Sequence, residues 1–191
     1  IDFDRLRIEY EKHHGGLKTA VQNIKESAER RLAQMMKKNP LRTNFQKHYE
    51  EIIEAYNREK DRVTIEQTFE ELLRFVESLD QESHRAIREG LDEDALALFD
   101  LLVKPDMAKS EIERIKKIAN ELLTRLKTEK LKIDNWRAKQ ATRDAIRTEI
   151  LNFLYDERTG LSTVCYTEDE VKQKAEQVYL HVYRLVQDYR P

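Results

Sequence analysis

The chain has 191 residues, of which 35 are basic and 37 acidic, with only 4 glycines, 3 prolines and 1 cysteine. The net charge of −2 excludes a protein that is basic as a whole, and the lone Cys165 excludes a disulfide or a cysteine-based metal site within one chain. Because turn formers are scarce and helix formers abundant, we predict an all-α fold. It should be an irregular bundle of about eight helices with little or no sheet.

The hydrophobic helix near the start of the chain carries Phe3, Leu6 and Tyr10 and should end at the sequence HHGG, residues 13–16. A second helix should stop at the NP dipeptide of residues 39–40. Its apolar residues recur at helical spacing. They are Leu17, Val21, Ile24, Ala28, Leu32 and Met35.

Four capping boxes, in which Ser or Thr precedes Glu or Gln by three residues, mark further helix starts. They predict N-caps at Thr43, Thr64, Ser110 and Thr167. The helix after Thr64 carries an apolar stripe with the spacing of a buried face. The stripe consists of Ile65, Phe69, Leu72, Val76 and Leu79.

Three more helices are predicted from other end signals. A short one covers about residues 81–89, with Gly90 following its last turn. Asp92 should cap a helix that stops at Pro105. Asp134 or Asn135 should cap a helix running over 136–155.

Changes in composition at 57–63 and 104–110 suggest where the chain could divide. We expect a segment 1–60, continuing from an upstream helical or motor domain, and a helical domain 61–191. The two can also pack as one unit.

No pattern of catalytic residues is present. The glycines at 15, 16, 90 and 160 do not have the spacing of a phosphate-binding loop. The five histidines have no helix-spaced partners for a tetrahedral metal site. We therefore predict no catalytic, cofactor-binding or metal-binding residues in this chain.

Charge is distributed unevenly along the sequence. Residues 66–100 hold 11 acids and 3 bases, a net of −8, whereas residues 109–150 hold 12 bases and 7 acids, a net of +5. Opposite segments can pair within the molecule, or each can face a different partner.

The strongest binding candidate is the basic stretch 130–147, because Arg grips phosphate and Trp can stack or pack. The candidate DNA or partner contacts are Lys130, Lys132, Trp136, Arg137, Lys139, Gln140, Arg143 and Arg147. In the alternative interpretation Trp136 fills the core and the bases bridge to the acidic segment 66–100. The residues alone leave both interpretations open.

The closing segment 166–186 combines a core stripe with aromatic residues beside it. Val171, Ala175, Val178, Val182, Leu185 and Tyr189 form the stripe. Tyr166 precedes the cap, where it could pack on Val171. We expect Tyr179, His181 and Tyr183 to form an edge shared with a partner.

Several stretches resemble the C-terminal region of HsdR, the restriction and motor subunit of type I restriction-modification enzymes. They include NPLRTNFQKHYEEIIEAYN, EGLDEDALALFDLL, KIDNWRAKQATRDAIR and YTEDEVKQKAEQVYLHVY, in the order of that family. The resemblance covers essentially the whole chain. The combination of the second, third and fourth stretches is the specific part.

The resemblance implies a cytoplasmic subunit with a nuclease domain, ATP-driven motor lobes and a C-terminal helical part. That part would dock the motor on the methyltransferase and specificity subunits, possess no catalytic residues, and touch double-stranded DNA. ATP and Mg²⁺ would be cofactors of the full-length subunit, a type I site-specific deoxyribonuclease, and not of this fragment. No position here matches a nuclease or motor motif, so no catalytic residue is carried over.

Location and completeness are also expectations at this stage. No apolar run approaches the ~18 residues that a membrane span needs, and no signal peptide opens the chain, so we expect a cytoplasmic protein without membrane contact. Because residue 1 is Ile and not Met, we expect a fragment of a longer chain.

Three hypotheses follow. The first is an assembly domain of the type I restriction subunit, and the second is a DNA-binding helical module that acts mainly through 109–150. The third is an unrelated helical scaffold or interaction protein.

Overall fold

The computed structural model describes residues 17–58, 62–133 and 135–185. Within these ranges it contains eight α-helices and no strand, which confirms the predicted all-α class. The chain divides into two compact units between Arg88 and Glu89. The helix predicted around Phe3, Leu6 and Tyr10 lies outside the described residues.

The first unit contains the helices α1 (Leu17–Lys38), α2 (Thr43–Arg58), α3 (Arg62–Ser83) and α4 (Arg85–Glu89), except for Glu89, which belongs to the second unit. α3 packs against both α1 and α2. Its predicted stripe is buried at every position, because removal of these apolar side chains from water drives the packing. On α1 Val21, Ile24, Ala28, Leu32 and Met35 are buried, as predicted, and the side chain of Leu17 lies outside the description.

A buried charge cluster fixes the loop between α1 and α2. Arg42 is only 4% exposed, and its Nε donates to Glu82 Oε1 at 2.9 Å. Arg85 Nη1 donates to the same carboxylate oxygen at 3.2 Å. Because a buried charge is costly without a partner, Glu82 ties this loop to the end of α3.

The observed division differs from the one expected between residues 60 and 61. The apolar stripe of α3 packs on helices that precede it in the chain, so α3 belongs to the first unit. Gly90 follows α4 with a φ of +68°, as expected for a residue just beyond a helix end.

The second unit contains α5 (Glu93–Leu102), α6 (Lys109–Arg125), a π-helical segment (Leu126–Lys130), α7 (Gln140–Tyr155) and α8 (Glu168–Leu185). α5 packs against α6 and α8, and α7 packs against α8. Six of the ten residues of α5 are buried. A helix that is apolar over most of its surface belongs in a core, so α5 is the centre of this unit.

The ends of α5 are supplied with hydrogen bonds by side chains. At the first turn, Asp92 accepts from the Ala95 N–H at 2.7 Å, which confirms the predicted cap. At the last turn, the Tyr166 hydroxyl donates to the Leu102 carbonyl at 2.7 Å. The Lys174 amine donates to the Leu101 carbonyl. Backbone groups that a helix leaves unpaired at its ends are thereby satisfied.

Of the four predicted capping boxes, the one at Thr167 is confirmed. The Thr167 N–H donates to Glu170 Oε2 at 2.9 Å, and Thr167 Oγ1 accepts from the Glu170 N–H at 3.3 Å. Val171, Ala175, Val178 and Val182 of the same helix are buried, also as predicted. Tyr189 and the side chain of Leu185 lie outside the description.

The boxes predicted at Thr43, Thr64 and Ser110 are wrong. α2 begins at Thr43 itself, and Gln46 donates to Glu50 instead of to the helix start. α3 begins two residues before Thr64. The N-cap of α6 is Ala108, whose backbone is extended and whose side chain makes no capping bond. These three helices therefore begin at or before the Thr or Ser residue that was predicted to cap them.

The predicted start of the helix over 136–155 is also wrong, because α7 begins at Gln140 with Lys139 as its N-cap. Asn135 has a φ of +54°, which interrupts a right-handed helix. Trp136 is buried before the helix begins.

A helix start with a side-chain cap and one without it should lose different amounts of unfolding free energy when the Ser or Thr is replaced by Ala. Thr167→Ala should lower the free energy of unfolding by about 1 kcal/mol, because an N-cap hydroxyl is lost. Ser110→Ala should change it by less than about 0.5 kcal/mol, because Ser110 is exposed and does not cap α6. Urea unfolding followed by circular dichroism measures both; equal losses would show that the assignment of the caps is incorrect.

Candidate functional site

All the candidate contact residues predicted from the sequence lie in the second unit. They belong to the π-helical segment, to residues 131–139, which we call the strap, and to α7 and α8. The strap runs from the π-helical segment to α7, and Asp134 within it lies outside the description. Its backbone forms turns closed by Trp136 N to Ile133 O, 3.2 Å, and Lys139 N to Trp136 O, 3.3 Å.

Trp136 and Arg137 hold the strap against the last turn of α8. Trp136 is 4% exposed, and its ring meets the ring of Tyr183 edge-on at 5.8 Å. The Arg137 guanidinium lies 4.7 Å above the Trp136 ring. Its Nε also donates to the Tyr183 carbonyl at 2.8 Å. A cation at the carboxyl end of a helix is favourable, and the aromatic face adds a further attraction.

Arg143 connects the strap to α7. Its Nη1 donates to the Arg137 carbonyl at 2.6 Å, and its Nη2 donates to the Gln140 side chain. Gln140 Nε2 in turn donates to Asp144 Oδ2 at 3.1 Å. The Arg143 guanidinium is therefore engaged by groups of its own unit.

Arg147 connects α7 to α8. It forms a two-pronged pair with Glu176, with Nε to Oε2 at 2.9 Å and Nη2 to Oε1 at 3.2 Å. Its guanidinium also lies 4.2 Å above the ring of Tyr179. Hydrogen bonding to Glu176 raises the pKa of Arg147. This geometry is the strong form of an Arg–carboxylate pair.

The lysines of the same stretch differ from the arginines. Lys132 and Lys139 are exposed and Lys130 is partly exposed. Among the residues that the structure describes, none of the three has a carboxylate within ion-pairing distance. Their charges are thus not neutralised by a direct partner there.

The three residues predicted to form a partner edge on α8 differ in exposure. Tyr179 is 4% exposed and packs under Arg147, so it belongs to the core. Tyr183 is 36% exposed, and Leu180, which the sequence reasoning missed, is 38% exposed. Leu180 is a large apolar residue that lies off the core stripe, and this position in the sequence could have indicated its exposure.

His181 is half-buried. Burial lowers the pKa of His181, and the nearby charge of Asp94 opposes that effect. The expected partner edge therefore consists of one core residue, one half-buried residue and one exposed residue.

The predicted pairing of bases with the acidic segment 66–100 occurs at different bases. Lys127 Nζ lies 2.8 Å from Asp94 Oδ2, and Lys116 Nζ lies 2.7 Å from Glu89 Oε2. The arginines of the strap and α7 turn instead to α8 and to each other. Glu176 was not foreseen, because it is separated from Arg147 by 29 residues in the sequence.

The described part of the chain contains no group of three His, Cys, Asp or Glu side chains placed to hold a metal ion. In that same part, no helix is both long and apolar enough to cross a membrane.

The described structure is an all-helical module in which several ion pairs join different segments of the chain. The chain belongs to the family described as type I restriction enzyme HindI endonuclease subunit-like, C-terminal, whose sequence model matches residues 6–186. This confirms the resemblance found in the sequence. Searches of curated proteins and of solved structures find no match.

The burial of His181 predicts a pH dependence of stability. Because its pKa is lower in the folded than in the unfolded chain, the unfolded chain binds the proton more readily. Neutral, buried His181 contributes fully to the unfolding free energy at pH values above the ordinary histidine pKa of about 6.5. This contribution is lost as the pH falls below that value. The wild type should therefore lose more unfolding free energy between pH 7.5 and 5.5 than His181→Gln does. Parallel curves from urea unfolding would contradict this.

Proposed function

We propose that this chain is the non-catalytic assembly domain of a type I restriction subunit, and that it docks the motor subunit on the methyltransferase and specificity core. The observation that carries the proposal is the family match over residues 6–186. The ATP, Mg²⁺ and DNA cleavage of the resembled enzyme would then belong to other parts of a longer cytoplasmic subunit.

The use of charged groups in the second unit supports an assembly role. Arg143 joins α7 to the strap, and Arg147 joins α7 to Glu176 of α8. Glu170 caps α8 and pairs with Lys104 at 2.6 Å. These side chains are committed to a rigid framework, and a rigid framework is what a docking surface needs.

The docking surface that the geometry favours is the pair Leu180 and Tyr183 on α8. The two residues are three apart and so lie on the same side of the helix. Both are large, and more than a third of each is exposed. Tyrosine is enriched in protein interfaces, since its ring is apolar and its hydroxyl can remain hydrogen-bonded.

Mixing the chain with the methyltransferase–specificity core tests this proposal. The chain should co-elute with the core in size-exclusion chromatography at micromolar concentration. Leu180→Glu should weaken the complex about tenfold or more, because a charge would enter an apolar contact. Gln173→Glu is the matched control, since it adds the same charge two turns earlier on the same side of the same helix.

Failure of the parent chain to co-elute at micromolar concentration would refute the docking role. Equal weakening by both variants would show that charge alone matters, and would refute Leu180 as part of the interface.

The second hypothesis, DNA contact through 109–150, is compatible with the first. It is supported by the lysines of the strap region and opposed by the internal engagement of the arginines. Family membership excludes the third hypothesis, a scaffold unrelated to restriction enzymes.

A further inference from the structure

Leu180 lies at the centre of an exposed group of residues on α8, which we call the α8 patch. Its members are Gln177, Leu180, Tyr183 and Arg184, and all four are exposed. The other three lie three residues before Leu180, three after it and four after it. This is the spacing of neighbouring side chains on one side of a helix, so the patch is continuous around Leu180.

The ring of Tyr183 is partly exposed but is already held in place. It meets the ring of Trp136 edge-on at 5.8 Å, and its centre lies 6.0 Å from that of Tyr179. Both of these neighbours are buried. A ring that is fixed in advance loses little conformational freedom when a partner covers it. Tyr183 is therefore pre-organised for a contact.

Arg184 adds a positive charge beside Leu180 and Tyr183. Within the described part of the chain it has no carboxylate within ion-pairing distance. The carbonyl of Tyr183, at the end of α8, accepts from Arg137 and not from Arg184. Residues 186–191, which lie outside the description, contain one acid and one base and so add no net charge.

The acidic residue of α8 that is nearest to the patch in the sequence is engaged elsewhere. Glu176 precedes Leu180 by four residues, and its two oxygens accept from Arg147 at 2.9 and 3.2 Å. Residues 177–185 contain no acidic residue. The α8 patch thus combines an apolar centre with a positive charge at its rim.

We infer that the α8 patch binds a protein surface on which apolar side chains are flanked by a carboxylate. Leu180 and Tyr183 contact the apolar side chains, and Arg184 pairs with the carboxylate. The inference rests on the proposed function, because it specifies the chemistry of the surface on the methyltransferase–specificity core to which this chain docks. The Arg147–Glu176 pair of the same unit shows the two-pronged geometry that suits arginine and a carboxylate.

The apolar centre of the patch favours a protein partner over a nucleic acid. A nucleic acid presents a strongly charged and polar surface, which would leave Leu180 without an apolar contact. An arginine at the rim of a protein interface instead attracts an acidic partner and excludes a basic one.

The contribution of Arg184 should depend on salt. The Debye length is about 14 Å at 50 mM salt and about 4 Å at 500 mM, so a charge at the rim acts over a shorter distance at high salt. Arg184→Gln should therefore raise the dissociation constant of the complex about fivefold at 50 mM salt and less than about twofold at 500 mM.

Fluorescence anisotropy of the chain, labelled at its N-terminus and titrated with nuclease-treated methyltransferase–specificity core, measures these constants. Lys172→Gln is the matched control, since it removes the same charge from an exposed position about three turns earlier on α8. It should keep the dissociation constant within about twofold of the parent value at both salt concentrations. Circular dichroism verifies the fold of both variants.

The outcomes separate this inference from the docking role itself. If the parent chain does not bind the core, both fail. If the parent binds and Arg184→Gln binds equally well at 50 mM salt, the acidic partner is refuted and docking stands. The same holds if Arg184→Gln weakens binding equally at both salt concentrations, or if Lys172→Gln weakens it as much. Light scattering that finds a dimer of the parent chain and a monomer of Arg184→Gln would show that a second copy covers the patch, which also overturns the inference.

Discussion

The burial of α5 is the constraint on which the second unit depends. A helix surrounded by other helices cannot leave the backbone groups of its ends to water, so side chains must satisfy them. Asp92 does so at the first turn. Tyr166, which precedes α8, and Lys174 of α8 do so at the last turn. Burial raises the pKa of Tyr166 and lowers that of Lys174, with the charge of Lys104 lowering the latter further.

Contacts with α5 fix the position of α8. Groups on α8 then bind the strap and α7 and so fix their positions. Glu176 offers a carboxylate that Arg147 grips with two hydrogen bonds, and the end of α8 offers the Tyr183 carbonyl to Arg137. Hydrogen bonds from these arginines therefore stabilise the module. The same arrangement leaves Leu180 and Tyr183 at the surface.

The sequence predicts much of the fold and little of the site. Apolar stripes depend on local spacing, so those of α1, α3 and α8 were predicted correctly. Asp92 and Thr167 cap as expected because each lies directly before the first residue of its helix. The start of α7 was not predictable, since Trp136 before it is buried against Tyr183 of α8, which is distant in the sequence. The pair Arg147–Glu176 likewise depends on how two helices pack, which no local pattern records.

Comparison of Tyr166→Phe with Tyr155→Phe tests the central claim most directly. Both hydroxyls donate to a backbone carbonyl, at 2.7 Å to Leu102 and at 2.9 Å to Glu168, but only the first bond is buried. In urea unfolding, Tyr166→Phe should lower the unfolding free energy by about 1–3 kcal/mol, because it leaves a buried carbonyl unpaired. Tyr155→Phe should cost less than about 0.5 kcal/mol. Equal and small losses would contradict the claim that satisfying the end of α5 determines the position of α8.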